Sequence, residues 1–412
     1  MRSIAPALTV ALAALLAAGP EGLAADPPGT KGTIRIGLLN ATSGPYESLG
    51  SDANAGFQYF LATHGDQLGG FAVELRTGNE GDSTTAAIAV AHQLVEQDTV
   101  DAIVGVDNSD DAYAIADYLD AQKKPIIITA AGADELTQDR ARKNLFRVAH
   151  TSSQDTMPLG DYACRKLQKH TAAIFGSDYS YGWESAGGFA RAYTAAGCRI
   201  VEEQYVPRDG DWGATIEKTD RSATIVFVAA DPTNAVKVVE AYRAAHLAIP
   251  LLGDATLTNE PYLADERENA LGVITASHYS TVIHSTDNET FRRGFETLDG
   301  RSVSEYVENG YVAAEILSNA LARLPSGPPK ADALVAQMRT VAVDAPRGPV
   351  RFDAYQQVVN AVYIRRVVQL GGRFRNSIVT MYPLSSQFWR YDPEKYLQLP
   401  TYAKLKGTWA RQ

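Results

Sequence analysis

At 412 residues, 45% hydrophobic and 21% charged, the chain is long enough for two packed domains and too apolar to be disordered. Its formal net charge of −10 comes from acidic residues spread along the chain. That balance argues against a nucleic-acid backbone as partner and supplies no basic patch for a membrane surface, which leaves small solutes.

The first residues, MRSIAPALTVALAALLAAGPEGLAAD, combine one Arg, an apolar stretch, a Gly-Pro break and a small-x-small cleavage site. This pattern predicts a secretory signal peptide over residues 1–24. The apolar stretch is short for a membrane span, and no later run reaches the roughly 18 to 20 apolar residues that a span needs. No Cys follows the cleavage site to carry a lipid. An exported, soluble, periplasmic protein is expected. In such a compartment the two cysteines, Cys164 and Cys198, are able to pair, the alternative being two buried thiols.

Along the chain, β-type apolar runs alternate with helix-period segments. TIRIGLL precedes ANAGFQYFLATH, FAVELRTG precedes TTAAIAVAHQLVEQ, and DAIVGV precedes DDAYAIADYLDAQ. PIIIT follows, then TAAIFG with SAGGFARAYTAAG, RIVEEQYV with ATIEKT, and TIVFVAA with TNAVKVVEAYRAAH. Repeated β-α-β order with short Gly, Asp and Pro junctions predicts an α/β fold of two doubly wound parallel sheets covered by helices. Ligands of such sheets sit beyond the carboxyl ends of the strands. One of those loops is AIVGVDNSDDAY, where Asp107, Asn108 or Ser109 is placed to cap a helix whose first N–H groups attract an anion. Ordinary capping and a carboxylate dock with Ser109 as hydroxyl donor are both open readings.

Enzyme signatures are missing. There is no GxGxxG after a strand, and no GxxxxGK[ST], GxSxG or HExxH. The seven histidines show no metal-ligand spacing, although His150 and His278 fall near the expected chain crossings. Neither a cofactor nor a metal is called for.

The segments GGFAVELRTGNEGDSTTAAIAVAHQLVEQDTVDAIVG, KKPIIITAAGADELT, NLFRVAHTSSQD, SDYSYGWESAGGF and SEYVENGYVAAEILSNAL resemble the type 1 periplasmic solute-binding proteins of ABC importers. The branch is that of the branched-chain amino acid and aromatic acid receptors. The resemblance implies two lobes joined by three crossovers near His150, Ser277 and Phe352. One lobe then comprises residues 31–150 with 278–352, the other 151–277 with 353–400. It also implies delivery of a small-molecule ligand to a permease and ATPase complex in the inner membrane by a monomer, or docking on a membrane receptor in a sensing role.

Carried over position by position, the resemblance places Ser109 on a ligand carboxylate, with Asn108 beside it and Ala130, Ala131 and Gly132 completing the grip. Tyr181 matches a pocket tyrosine, and Tyr46 stands on a loop that supplies a wall; Tyr179 and Tyr279 are further candidate walls. Where amino-acid receptors hold the ligand ammonium with acids, this chain has Ser152 and Ala255. A buried ammonium without a charged partner costs several kcal/mol, and each hydrogen bond to a charge returns only about 1.5 to 3 kcal/mol. An aromatic carboxylate is therefore expected in preference to an α-amino acid or amide. Asp231, Asp254 and Asp155 are the residues able to reverse that expectation, although Asp231, before Pro232, also suits a helix start.

Overall fold

The computed structural model describes residues 29–411, so the expected signal peptide lies outside the described residues. The first sheet contains β1 (Thr33–Asn40), β2 (Gln67–Leu68), β3 (Phe71–Asn79), β4 (Ala102–Gly105), β5 (Ile126–Ile128) and β6 (Leu145–Arg147), in the order β2-β3-β1-β4-β5-β6. All pairings are parallel except β2 with β3. Successive side chains of a strand face opposite ways, so both faces need cover. Ile34, Ile36, Leu38, Ala102 and Val104 pack with Phe57 and Leu317 from the helices Glu47–Thr63 and Glu305–Ala322. Leu39 and Ile103 join Leu94 and Ile115 on the other side.

The second sheet holds β7 (Thr171–Ser177), β8 (Arg199–Val206), β9 (Ile225–Ala229), β10 (Leu251–Gly253) and β11 (Ile274–Ser277). It continues through β12 (Ala342–Ala345), β13 (Gly348–Phe352), β14 (Val358–Leu370) and β15 (Arg373–Ser385). The order is β12-β13-β14-β11-β10-β9-β7-β8, with β15 beside β14. Its two faces again form separate cores: Ala172 and Ile174 pack with Phe189, while Ala173 and Phe175 pack with Trp212 and Val238.

The structure differs from a purely parallel reading at the C-terminal end. Strands β11 to β15 pair antiparallel through β14. For the β14–β15 pair the cause is local: Gly371 and Gly372 take φ of +59° and +77° between the paired Leu370 and Arg373, and a two-residue turn of this hand closes a hairpin.

Strand β14 connects the two lobes. Val358 belongs to the core of the first sheet, whereas Val362 and Ile364 belong to that of the second. Fully buried Arg147, at the end of β6, holds this region: its Nε donates to Gln357 Oε1 at 2.7 Å, and its Nη1 donates to the carbonyls of Ala131 and Ala133 at 3.1 and 2.7 Å. In the second lobe Cys164 and Cys198 form a disulfide, with Cα atoms 5.9 Å apart. Among the described residues no helix is long and apolar enough to cross a membrane.

The facing loops meet across the cleft. Arg208 Nη2 donates to the Tyr46 hydroxyl at 3.0 Å, Thr256 Oγ1 lies 3.3 Å from the Tyr306 hydroxyl, and Ser48 Oγ lies 3.2 Å from the Tyr262 hydroxyl. These polar contacts range from exposed for Ser48–Tyr262 to buried for Thr256–Tyr306, and a typical intramolecular hydrogen bond contributes only about 0.5–1.5 kcal/mol. A ligand touching both sides adds its differential affinity to this closed arrangement. Small-angle scattering is expected to show a more compact particle with saturating ligand than without; superimposable profiles would count against a hinge.

Candidate ligand-binding site

The loop after β4 is rigid before any ligand arrives. Buried Asp107 accepts from Ala41 N at 2.6 Å, and the N–H groups of Asp107 and Asn108 donate to Glu80 Oε2 and Oε1 at 2.8 and 3.0 Å. Asn108 is the cap of the helix Ser109–Ala121, its Oδ1 accepting from Asp110 N at 2.8 Å and Asp111 N at 3.2 Å. The cap is therefore Asn108 and not Ser109. Ser109 is the first helical residue and only 2% exposed, and its side chain takes no part in the capping. Its own N–H stands at a position with no intrahelical acceptor.

The neighbouring loop after β5 carries Ala130, Ala131 and Gly132, all buried. Arg147 fixes its carbonyls, and Ala131 N donates to Val106 O at 2.9 Å. Gly132 is a requirement of close approach. A methyl group there would lie 2.6 Å from Ser152 Oγ and 3.3 Å from the Tyr181 ring, so only hydrogen fits between the lobes.

The walls are aromatic. Tyr46 packs with Ala41, Leu49, Ala130 and Tyr306. Tyr179 and Tyr181 lie at the start of the helix Ser180–Ala195, with ring centroids 6.1 Å apart. The Tyr181 hydroxyl is 3.0 Å from Thr256 Oγ1, which links it to Tyr306. Tyr279 is not a wall: it is fully buried among Phe291, Phe295 and Val307, and its hydroxyl donates to Asn288 Oδ1 at 2.8 Å. Its two-residue distance from the end of β11 turns it into the first lobe's core. Tyr306 and Arg208 were not among the expected site residues. Nothing in a lone Tyr or Arg on a loop or helix marks it until the lobes are brought together.

Charge at the opposite end of the cleft follows from burial. Ser152 and Ala255 are both buried and uncharged. Ser152 N donates to Gly132 O at 2.8 Å, and Ala255 O accepts from Arg365 Nη2 at 3.4 Å. Asp231 is saturated by its own lobe, accepting from Ser177 Oγ at 2.9 Å, Thr233 N at 3.0 Å and Asn234 Nδ2 at 2.9 Å. Asp254 is different. Its Oδ1 accepts from Leu257 N at 3.2 Å, whereas buried Oδ2 has no partner among the described residues. Burial pushes this carboxyl up to about 8, opposed by the adjacent Tyr181 hydroxyl. At neutral pH it is mostly a neutral acid, able to donate a hydrogen bond.

Two expectations follow. Ser109→Ala should weaken ligand binding by roughly 1.5–3 kcal/mol with little change in melting temperature, while Asn108→Ala should cost about 1 kcal/mol of stability, as read by titration and scanning calorimetry. The folded protein also keeps the Asp254 proton that an unfolded chain releases above about pH 4. Ligand-free stability should therefore fall as pH rises from about 4 to 8, with Glu305, raised to about 7 by burial, acting in the same direction. Asp254→Asn should make that decline shallower in melting curves; parallel declines would show that Asp254 does not hold its proton.

Comparison with known proteins places these features in a family. The chain is 25% identical over 347 residues to the Leu/Ile/Val-binding protein homolog 6 of Brucella suis, covering 82% of this chain and 88% of that one. An ABC transporter substrate-binding protein from Sphaerobacter thermophilus is 28% identical with a TM-score of 0.82, covering 86% of this chain and 99% of its own. A solute binding protein of an ABC transporter from Rhodopseudomonas palustris BisB5, solved with 3,4-dihydroxybenzoic acid, is 25% identical with a TM-score of 0.82, covering 86% of this chain and 98% of its own. Residues 33–372 match the family model described as periplasmic binding protein, and the chain belongs to that family as a substrate-binding protein of an ABC transporter.

Proposed function

We propose that this protein captures a small aromatic carboxylate in the periplasm and delivers it, as a monomer, to an ABC permease and its ATPase. The observation that carries the reading is Ser109, 2% exposed at a helix start whose next two N–H groups are already engaged by Asn108. A carboxylate there gains a hydroxyl donor and the positive end of the helix dipole. Tyr46, Tyr179, Tyr181 and Tyr306 offer ring faces and hydroxyls, and the Arg208 guanidinium on Tyr46 favours an anion at the cleft mouth. The uncharged Ser152 and Ala255 leave an ammonium without its usual partners. Protonated Asp254 suits a ring hydroxyl, the kind of ligand carried by the Rhodopseudomonas palustris relative. The pivots of closure in this reading are near His150, near Ser277 and within β14 between Val358 and Val362, beyond the Phe352 crossing that the resemblance implies.

A second reading has its own observation. The unpartnered Asp254 Oδ2 beside Tyr181 would, once ionised, receive the ammonium of a branched-chain amino acid, as the Brucella suis relative's name suggests for that protein. Thermal-shift assays decide between them. Benzoate, 4-hydroxybenzoate, 3,4-dihydroxybenzoate and phenylpropenoid acids are expected to raise the melting temperature, and leucine, isoleucine and valine are not. Micromolar leucine binding without any response to the aromatic acids, abolished in Asp254→Asn, would establish the second reading instead.

A further inference from the structure

Two histidines far apart in sequence meet where the chain crosses between lobes. His150 follows β6 and His278 follows β11; both are buried, with their Nδ1 atoms 3.1 Å apart. Asp155, just before the helix Thr156–Arg165, puts Oδ2 at 3.6 Å from His150 Nδ1 and 3.5 Å from His278 Nδ1. Asp155 is 1% exposed, and neither of its oxygens has a hydrogen-bond partner among the described residues. A buried carboxylate with both oxygens bare is costly unless something else occupies them.

The distances say what that is. Separations of 3.5 and 3.6 Å are too long for an N–H···O hydrogen bond, which closes to about 2.7–3.2 Å. Ligands bound tetrahedrally at about 2.0–2.1 Å stand about 3.3–3.4 Å from one another, which matches the mean of the three edges. An octahedral ion with bonds of about 2.1 Å would draw neighbouring ligands to about 3.0 Å, a poorer match.

The surroundings fix the ligand atoms. Asn309 Nδ2 donates to Thr129 O at 2.9 Å, so its Oδ1 accepts, from Arg347 Nη2 at 2.5 Å and from the His278 ring at 3.0 Å. His278 must then carry its hydrogen on Nε2, leaving the Nδ1 lone pair aimed at the cluster, as outer-shell partners of metal-bound histidines do. Arg347 is paired with Glu308, and Arg365 lies 3.8 Å from Glu260, so the nearby cations are offset. His170, 3.3 Å from Cys198 Sγ, is no equivalent, because the disulfide removes the thiolates.

We propose that His150, Asp155 and His278 bind one zinc-class divalent cation, which ties the two chain crossings to the first helix of the second lobe. Binding releases to solvent the proton that His150 Nδ1 donates to His278 Nδ1, and a water completes the fourth position. Two imidazoles and one carboxylate suit zinc, and an ion here would hold the crossings in place.

The test uses the untagged protein, stripped with a chelator, loaded with zinc and dialysed into metal-free buffer. It is expected to retain about one zinc per chain by elemental analysis and to melt at a higher temperature than the stripped form. Cobalt(II) should give the visible absorption of a four-coordinate ion. Asp155→Asn and His278→Gln should lower zinc affinity at least about tenfold. His92→Ala, which removes an exposed His–Glu pair elsewhere, should not. Failure of the unaltered protein to retain zinc, equal retention by Asp155→Asn, or loss in His92→Ala would overturn the proposal. Should the buried variants not fold, zinc retention, melting shift and cobalt spectrum of the unaltered protein decide alone, and absence of all three overturns it.

Discussion

A single buried guanidinium organises the region on which binding depends. Arg147 has no exposure and remains charged, although burial lowers it to about 10. Such a group is tolerable only if its donors are satisfied. The acceptors it takes are the carbonyls of Ala131 and Ala133, the Thr137 hydroxyl and the side chain of Gln357. One unmet need therefore draws together the β5 loop at the cleft, the turn that follows it and the start of the strand that leads into the other lobe. Replacing Arg147 by an apolar residue would leave those acceptors bare at about 1–3 kcal/mol each, so the loop's shape and the lobe connection are energetically one feature.

The α/β pattern was legible because it is written locally. Fully buried runs such as Ile126–Ile128 lie between helix-period segments, and each junction carries its own capping or turning residues. The C-terminal hairpin was less legible: VVNAVYIRRVVQL and RFRNSIVTMYPLS mix Arg and Asn into both faces, and fully buried Arg365 becomes intelligible only beside the Thr275 hydroxyl and the Tyr279 carbonyl.

The same distinction holds at the site. Ser109 and Asn108 could be named from a strand-helix junction, but which of them caps was settled by tertiary geometry. Tyr279 is named from the sequence as a wall and Tyr306 is not, because no local pattern tells an aromatic beside a cleft loop from one that faces a core. Likewise His150, Asp155 and His278 have no ligand spacing along the chain; the fold alone supplies it.

Electrostatics in the cleft is a matter of asymmetry. One end presents a hydroxyl and a helix start, which favour negative charge without introducing a formal positive one. The other presents Asp254, whose burial makes ionisation unfavourable until a cation arrives. In the proposed binding mode a ligand that brings only an anion would bind with no change of protonation in the protein, whereas one that brings an ammonium would also have to remove a proton. Under that proposal, selectivity between acids and amino acids would be linked to the medium's pH as well as to shape.

The Cys164–Cys198 bridge closes a segment with a sequence separation of 34 residues in the second lobe. Cross-linking a loop of that size removes freedom from the unfolded chain, with a stabilisation of about 3–4 kcal/mol in the chain-entropy account. Its cysteines flank the helix Ser180–Ala195 that carries Tyr181 and end where β8 begins. Maturation of the second lobe is thereby tied to the redox character of its surroundings: in a reducing environment the same polypeptide would assemble its first lobe unaltered and its second with a weaker clasp.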